Sequence, residues 1–245
     1  MKRIAYVKDT TCLTNSKLCV PYYMAADQPA GEPPVRRRDP EASREAILDA
    51  AEALFAERGY EGTSLQEVGA RAGVSRGTPS YFFRSKADLH HAVLERCFAQ
   101  VRDAVRSGRE RAIRSGEPPE VVLEGAVAEY FDFLAARPNF VRLIEREALG
   151  DGPGNAGQVA QVAIGQEMLL AMAGELGLDP SPSGDASQLL LSIISLCWFP
   201  LIHARTVAPL TGVDCSAPDA LERRKRHVIT LVRSAWSALS DVSAT

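Results

Sequence analysis

Cysteine is sparse and unpatterned in this chain of 245 residues: Cys12, Cys19, Cys97, Cys197 and Cys215 are scattered and form no C-x-x-C pair. A disulfide framework takes an even, dense set and a zinc site takes closely spaced ligand pairs. Neither is expected here, and the thiols read as reduced, in a cytoplasmic protein. Excess charge of either sign is also missing. The 28 Lys and Arg against 31 Asp and Glu leave a formal net charge of −3, so any contact with nucleic acid has to come from a local cationic patch. There is no G-x-S-x-G, no H-E-x-x-H and no phosphate loop, and the glycine-rich residues 150–157 follow a helix and lack a G-K-[ST] ending. Enzymatic chemistry is therefore not expected. His90 and His91 are adjacent, which turns them to different faces of a helix, and His203 and His227 stand alone, so neither metal nor cofactor is expected. Strand alternation and internal repeats are absent. So is a secretory signal, because the short apolar stretch Ile4–Val7 is broken at once by Lys8 and Asp9.

What is present reads as a folded, all-α protein. The hydrophobic fraction is 46 % and the charged fraction 24 %, enough for one or two domains with a buried core. Residues 1–38 lack helical or strand periodicity and close on Pro29–Pro34 and the triplet Arg36, Arg37 and Arg38, a pattern expected of a flexible leader. Nothing before Met24 looks like part of a domain, so Met24 is a possible start. The arginine triplet reads equally as a solvated charge run or as an arm for a DNA groove.

From Asp39 the text is helical, with Asp39 as N-cap, Pro40 at the first position, and Ile47, Ala51, Leu54 and Phe55 on one stripe. Gly59 ends that helix. Thr63-Ser64-Leu65-Gln66 opens a second, Gly73 permits a sharp turn, and Ser75 is positioned to cap a third. Gly69 sits where the helices have to cross closely, and Val74 and Phe83 are placed to anchor the unit to the first helix. This is the layout of a helix-turn-helix over residues 39–86. Between Val68 and Ala87 lie Arg71, Arg76, Arg84 and Lys86 and no acidic residue, which supplies the local patch. A helix fits the DNA major groove, and there Arg76 can donate two hydrogen bonds to a guanine edge while Thr78 reaches a base or phosphate.

The run Ile47-Leu48-Asp49-Ala50-Ala51 with Leu54-Phe55 and Gly59-Tyr60, then Gly73-Val74-Ser75-Arg76-Gly77-Thr78, Tyr81-Phe82-Phe83 and Ser85-Lys86, resembles the DNA-binding domain of the TetR family of transcriptional regulators. The likeness covers residues 43–92. It implies a homodimer on a palindromic double-stranded DNA operator, a helical C-terminal domain that binds a small-molecule effector, and release from DNA when that ligand binds. Carried over by position, Arg76, Gly77, Thr78 and Tyr81 face bases or adjacent phosphates, and Thr63, Ser64, Ser80 and Lys86 hold the DNA backbone. Two residues depart from the family pattern. Ser80 stands where a tyrosine is common, and Pro79 replaces a usual Leu or Ile, which leaves the start of the recognition helix open.

Six further helices are expected over 86–114, 118–136, 138–149, 157–176, 185–207 and 217–240, forming a ligand-binding and dimerisation domain over 87–245. The 19 residues 186–204 carry no formal charge and approach the length of a bilayer span. Gln188, Pro200 and His203 within them favour a helix buried inside protein, with no membrane involved. Leu221, Val228, Val232, Ala235 and Leu239, with Trp236 beside them, form a seam expected to meet a second copy of the chain. Tyr130, Phe133, Phe140, Met168, Met172, Trp198 and His203 are the expected pocket residues, with the mid-helix Pro200 leaving room and a free carbonyl. The function these signs favour is a repressor released by a hydrophobic ligand. The alternatives are a DNA-binding protein of the same fold without such an effector, acting as an activator or under a partner's control, and an all-α enzyme.

Overall fold

The computed structural model describes residues 39–150, 152–153, 156–215 and 217–243, with side chains left aside at 156–161 and 241–243. The leader, Met24, Cys12, Cys19 and the arginine triplet lie outside the described residues. Asp39 caps α1 (Pro40–Arg58) by accepting from the Glu41 N–H at 3.1 Å, and Gly59 closes it at φ 77°. Helices α2 (Leu65–Arg71) and α3 (Thr78–Phe82) follow, and no strand occurs among the described residues. Then come α4 (Lys86–Arg114), α5 (Pro119–Ala136), α6 (Pro138–Ala148), α7 (Ala156–Leu176), α8 (Asp185–Ile202), a 3-10 turn at Ala208–Thr211, and α9 (Pro218–Ser243).

The head is built on α1, whose Ile47, Ala51 and Phe55 are fully buried against Val68 of α2 and Leu89 and Val93 of α4. Arg96 of α4 fastens this packing from outside, reaching Glu45, Asp49 and Glu52 of α1 at 3.1, 2.7 and 2.9 Å. Ser64 caps α2 in a reciprocal box: Glu67 N–H donates to Ser64 Oγ, and Ser64 N–H donates to Glu67 Oε2 at 3.0 Å. Those bonds from Ser64, with Arg58 alongside, hold the Glu67 carboxyl below its ordinary range. Ser64→Ala is expected to lower the urea midpoint of unfolding by the equivalent of roughly 0.5–2 kcal/mol, as lost caps do.

Below the head, α4, α5, α7 and α8 enclose a core around Phe131, Leu134 and Phe140, and α9 packs across α5 and α8. Helix α8 stops at Ile202 rather than 207. The His203 carbonyl accepts the N–H groups of Thr206, Val207 and Ala208, drawing the chain into a turn. Pro200 lacks the N–H that would have reached Leu196, but the carbonyl this releases is not left free: Arg224 Nη2 of α9 donates to it at 3.0 Å.

Candidate functional site

The recognition helix is set by one close crossing. A Cβ at Gly69 would lie 3.1 Å from Cγ of Pro79, so the departure at Pro79 puts its ring into the space that glycine leaves open. Pro79 occupies the first turn of α3, where a missing N–H costs nothing. Gly73, at φ 65°, makes the turn between α2 and α3. The cap assigned to Ser75 is not formed: Gly77 holds the N-cap position without a side-chain bond, and Ser75 Oγ instead pairs with Thr78 Oγ1 at 2.6 Å. Arg76, Gly77, Ser80 and Tyr81 are exposed, Tyr81 at 83 %, and Thr78 is half-buried.

The cationic patch divides. Arg71 forms a two-pronged pair with Glu57 at 2.8 and 2.9 Å, and that carboxylate raises the already high pKa of the guanidinium. Lys86 donates to the Tyr60 carbonyl at 3.0 Å and lies 4.1 Å from the Tyr60 ring centre. Its ammonium ties α4 to the loop after α1. Arg76 and Arg84 have no ion pair among the described residues and remain available. Thr63 also departs from expectation: it is 3 % exposed, and its hydroxyl donates inward to the Gly59 carbonyl at 2.9 Å. A threonine that closes a turn looks, in sequence, the same as one that greets a phosphate.

An apolar cavity lies between α4, α5, α7 and α8 in two compartments. The inner one, about 220 Å³, is walled by Phe98, Val101, Phe140, Ile144, Ile164 and Trp198. The outer one, about 80 Å³, includes Met172 and ends among Arg102, Arg106, Arg109, Glu167 and Glu175. Tyr130, Met168, Leu190 and Ile194 border both. Five of the seven expected pocket residues are thus brought together. Phe133 is not: it packs on the Phe140 ring at 5.5 Å, under the Arg137 guanidinium. Nor is His203, which sits past the end of α8 against Phe199 and Thr206. Tyr130 accepts a hydrogen bond from the Trp198 indole N–H, and burial pushes its phenol pKa up despite that bond, so it stays protonated.

Cavity and head share two elements. Helix α4 runs from the head to the cavity wall. Helix α6 lines the cavity with Phe140 and Ile144, and at its far end grips the head: Arg146 donates to the Ala56 and Glu57 carbonyls at 3.2 and 3.3 Å. Next to it Glu147 Oε1 lies 3.1 Å from Nε2 of His90, a buried ring edge-on to Phe55 and Tyr60. Sequence reading passed over Arg146 and Glu147, since two charges at a helix end look like solvated surface.

The seam on α9 faces inward. Val228 and Val232 are buried in the core, and Leu221, Trp236 and Leu239 pack against it; only Ala235 is exposed. The stripe is real, but its partners are α5 and α8 of the same chain, where Lys225 meets Asp132 at 2.9 Å and Arg233 meets Glu124 at 3.1 Å. The uncharged α8 shows the opposite departure. It is long and apolar enough to cross a membrane, yet only 28 % of it is buried, with Leu191 58 % and Phe199 51 % exposed. Beside it Leu231 of α9 is 40 % exposed.

A helix-turn-helix head joined by one long helix to a hollow helical bundle defines the helix-turn-helix class of regulatory proteins. The family model for bacterial regulatory proteins of the tetR family matches residues 47–93, and that for the tetracyclin repressor-like C-terminal domain matches residues 119–232. The chain belongs to the TetR family. It is similar to the HTH-type transcriptional activator FasR of Mycolicibacterium smegmatis, 34 % identical over 116 residues, which are 47 % of this chain and 51 % of that protein. The alignment thus spans about half the length of that relative. Among solved structures, a TetR family transcription regulator from Marinobacter aquaeolei has a TM-score of 0.61 at 18 % identity, covering 80 % of this chain and 95 % of the other. The regulator FadR of Bacillus subtilis, in complex with stearoyl-CoA, has a TM-score of 0.55 at 18 % identity, covering 78 % and 98 %. At these identities the two structures speak for the fold alone.

Proposed function

We propose that the protein is a cytoplasmic, ligand-responsive transcriptional regulator that binds a palindromic operator as a homodimer, and is not an enzyme. The carrying observation is the outward side of α3 and the turn before it, where Arg76, Gly77, Ser80 and Tyr81 are exposed, with Arg76 and Arg84 in no ion pair among the described residues. Arg76 reads a base edge, Thr78 and Tyr81 meet neighbouring bases or phosphates, and Ser64 and Ser80 hold the backbone. A hydrophobic molecule in the cavity acts on α4 and α6, and through them on the spacing of two recognition helices. It shifts that balance only by its preference for one arrangement over the other.

Gel-shift titration against DNA flanking the protein's own coding region tests the reading, with binding that weakens steeply as salt rises. Arg76→Ala is expected to cost about 1–3 kcal/mol of specific binding and to relax one operator position. An equal loss on every sequence would show that Arg76 touches only phosphate. Release by ligand points to repression, but FasR is an activator, which favours activation as the second reading. Transcript levels of the target in a strain lacking the protein decide the sign: a rise means repression, a fall activation.

A further inference from the structure

The proposed homodimer places two recognition helices on one palindrome, and the attachment of the head to the bundle bears on the interval between them. Helix α4 holds the head along the middle of α1, where Arg96 reaches Glu45, Asp49 and Glu52. A second attachment comes from α6, which packs on α1 and ends against its last turn. The last carbonyls of a helix have no partner within it, and Arg146 of α6 serves two of them: Nε donates to the Ala56 carbonyl at 3.2 Å and Nη2 to that of Glu57 at 3.3 Å. Glu57 is thereby held twice, since its carboxylate also takes both prongs of Arg71 at the end of α2. The neighbouring Glu147 lies 3.1 Å from His90, a ring 1 % exposed between Phe55 and Tyr60. Apolar packing attracts without direction and tolerates sliding, whereas a hydrogen bond weakens steeply once its angle is lost. A head held by α4 alone has one axis about which to swing, and directional bonds at the end of α1 remove that freedom.

We infer that Arg146 and Glu147 are positioning residues that fix the angle of the head on the bundle, and with it the half-site spacing that the homodimer accepts. The inference rests on the homodimeric DNA-binding reading and goes beyond it, because both residues stand on α6, outside the helix-turn-helix. The bases are read by α3, while the distance between the two readings is set by a clasp on the far side of α1. One base pair added between half-sites moves them apart by about 3.4 Å and turns one against the other by about 35°. A head locked by Arg146 cannot follow that displacement; an unclasped one can.

The test uses the full chain and three kinds of duplex: the palindrome that the native chain selects from a random-sequence library, the same palindrome with one base pair inserted or removed at its centre, and one half-site alone. When the spacing changes, the native chain is expected to lose most of the advantage of paired heads, which is on the order of 10²–10⁴-fold. In Arg146→Ala, half-site affinity should stay at the native value while the preference for the native spacing falls by roughly 5- to 150-fold, the usual range of coupling between sites. Arg146→Lys, which keeps a cation able to reach one carbonyl, should recover part of that preference. Glu147→Gln, nearly equal in size to the residue it replaces, should relax the spacing in the same direction, and it carries the test where thermal melting shows Arg146→Ala to be unfolded. Strict spacing retained in the folded variants would overturn the proposal, as would a native chain indifferent to spacing. So would a matching loss of half-site affinity, the mark of residues that merely support the head. Each of these outcomes leaves DNA binding itself standing, whereas a native chain that selects no duplex would overturn the regulatory reading and this inference together.

Discussion

Leu191→Asp combined with Leu231→Asp is expected to halve the particle mass in light scattering and to weaken binding to a full operator by on the order of 10²–10⁴-fold, the gain that linking two binding modules confers. Both leucines are exposed on the single chain, at 58 % and 40 %, and neither belongs to its buried core, so the substitutions remove little packing within it. They place carboxylates on a face that a second copy would have to cover, and a buried unpaired carboxylate is prohibitive. Affinity for an isolated half-site should hardly change, which separates loss of pairing from damage to the head. An unchanged mass would reject the outward face of α8 and α9 as the meeting surface. Val228→Asp makes the useful contrast: that residue is fully buried, so its variant should fail to fold rather than dissociate.

Phe55→Ala is expected to destabilise the chain by about 3–5 kcal/mol, the range for emptying a buried phenylalanine site. Phe55 is fully buried, its ring lies 4.7 Å from His90 and 6.0 Å from Tyr60, and it belongs to the same core as Val68 beneath α2. Nothing nearby has the freedom to fill the space, because Lys86 holds Tyr60 from one side and Glu147 holds His90 from another. Operator binding should vanish with the head. A shift of less than about 1 kcal/mol in chemical denaturation, well under that range, would mean that the head repacks freely.

The helices were legible because caps, prolines and glycines punctuate them: Asp39-Pro40, Ser64 with Glu67, and Arg137-Pro138 mark starts that the structure reproduces. The crossing at Gly69 was legible for the same reason, since a residue without a side chain advertises a close approach. What sequence could not decide is which neighbour a side chain meets. Leu221, Val228 and Val232 repeat at a spacing that suits any apolar partner, and within the chain they pack into its own core. Thr63 and Lys86 belong to types that bind phosphate, yet carbonyls of their own chain, at Gly59 and Tyr60, reach them first. Tyr130 was legible as a cavity residue. Its bond with the Trp198 indole was not, because that residue lies 68 positions away.

Five residues make up α3. At 1.5 Å each they extend about 7.5 Å, a little over two base-pair steps of about 3.4 Å. One copy therefore spells a short word, and a word that short recurs throughout any genome. In the proposed homodimer, the interval between two such words would have to supply the rest of the address, which would make the ruler as informative as the alphabet.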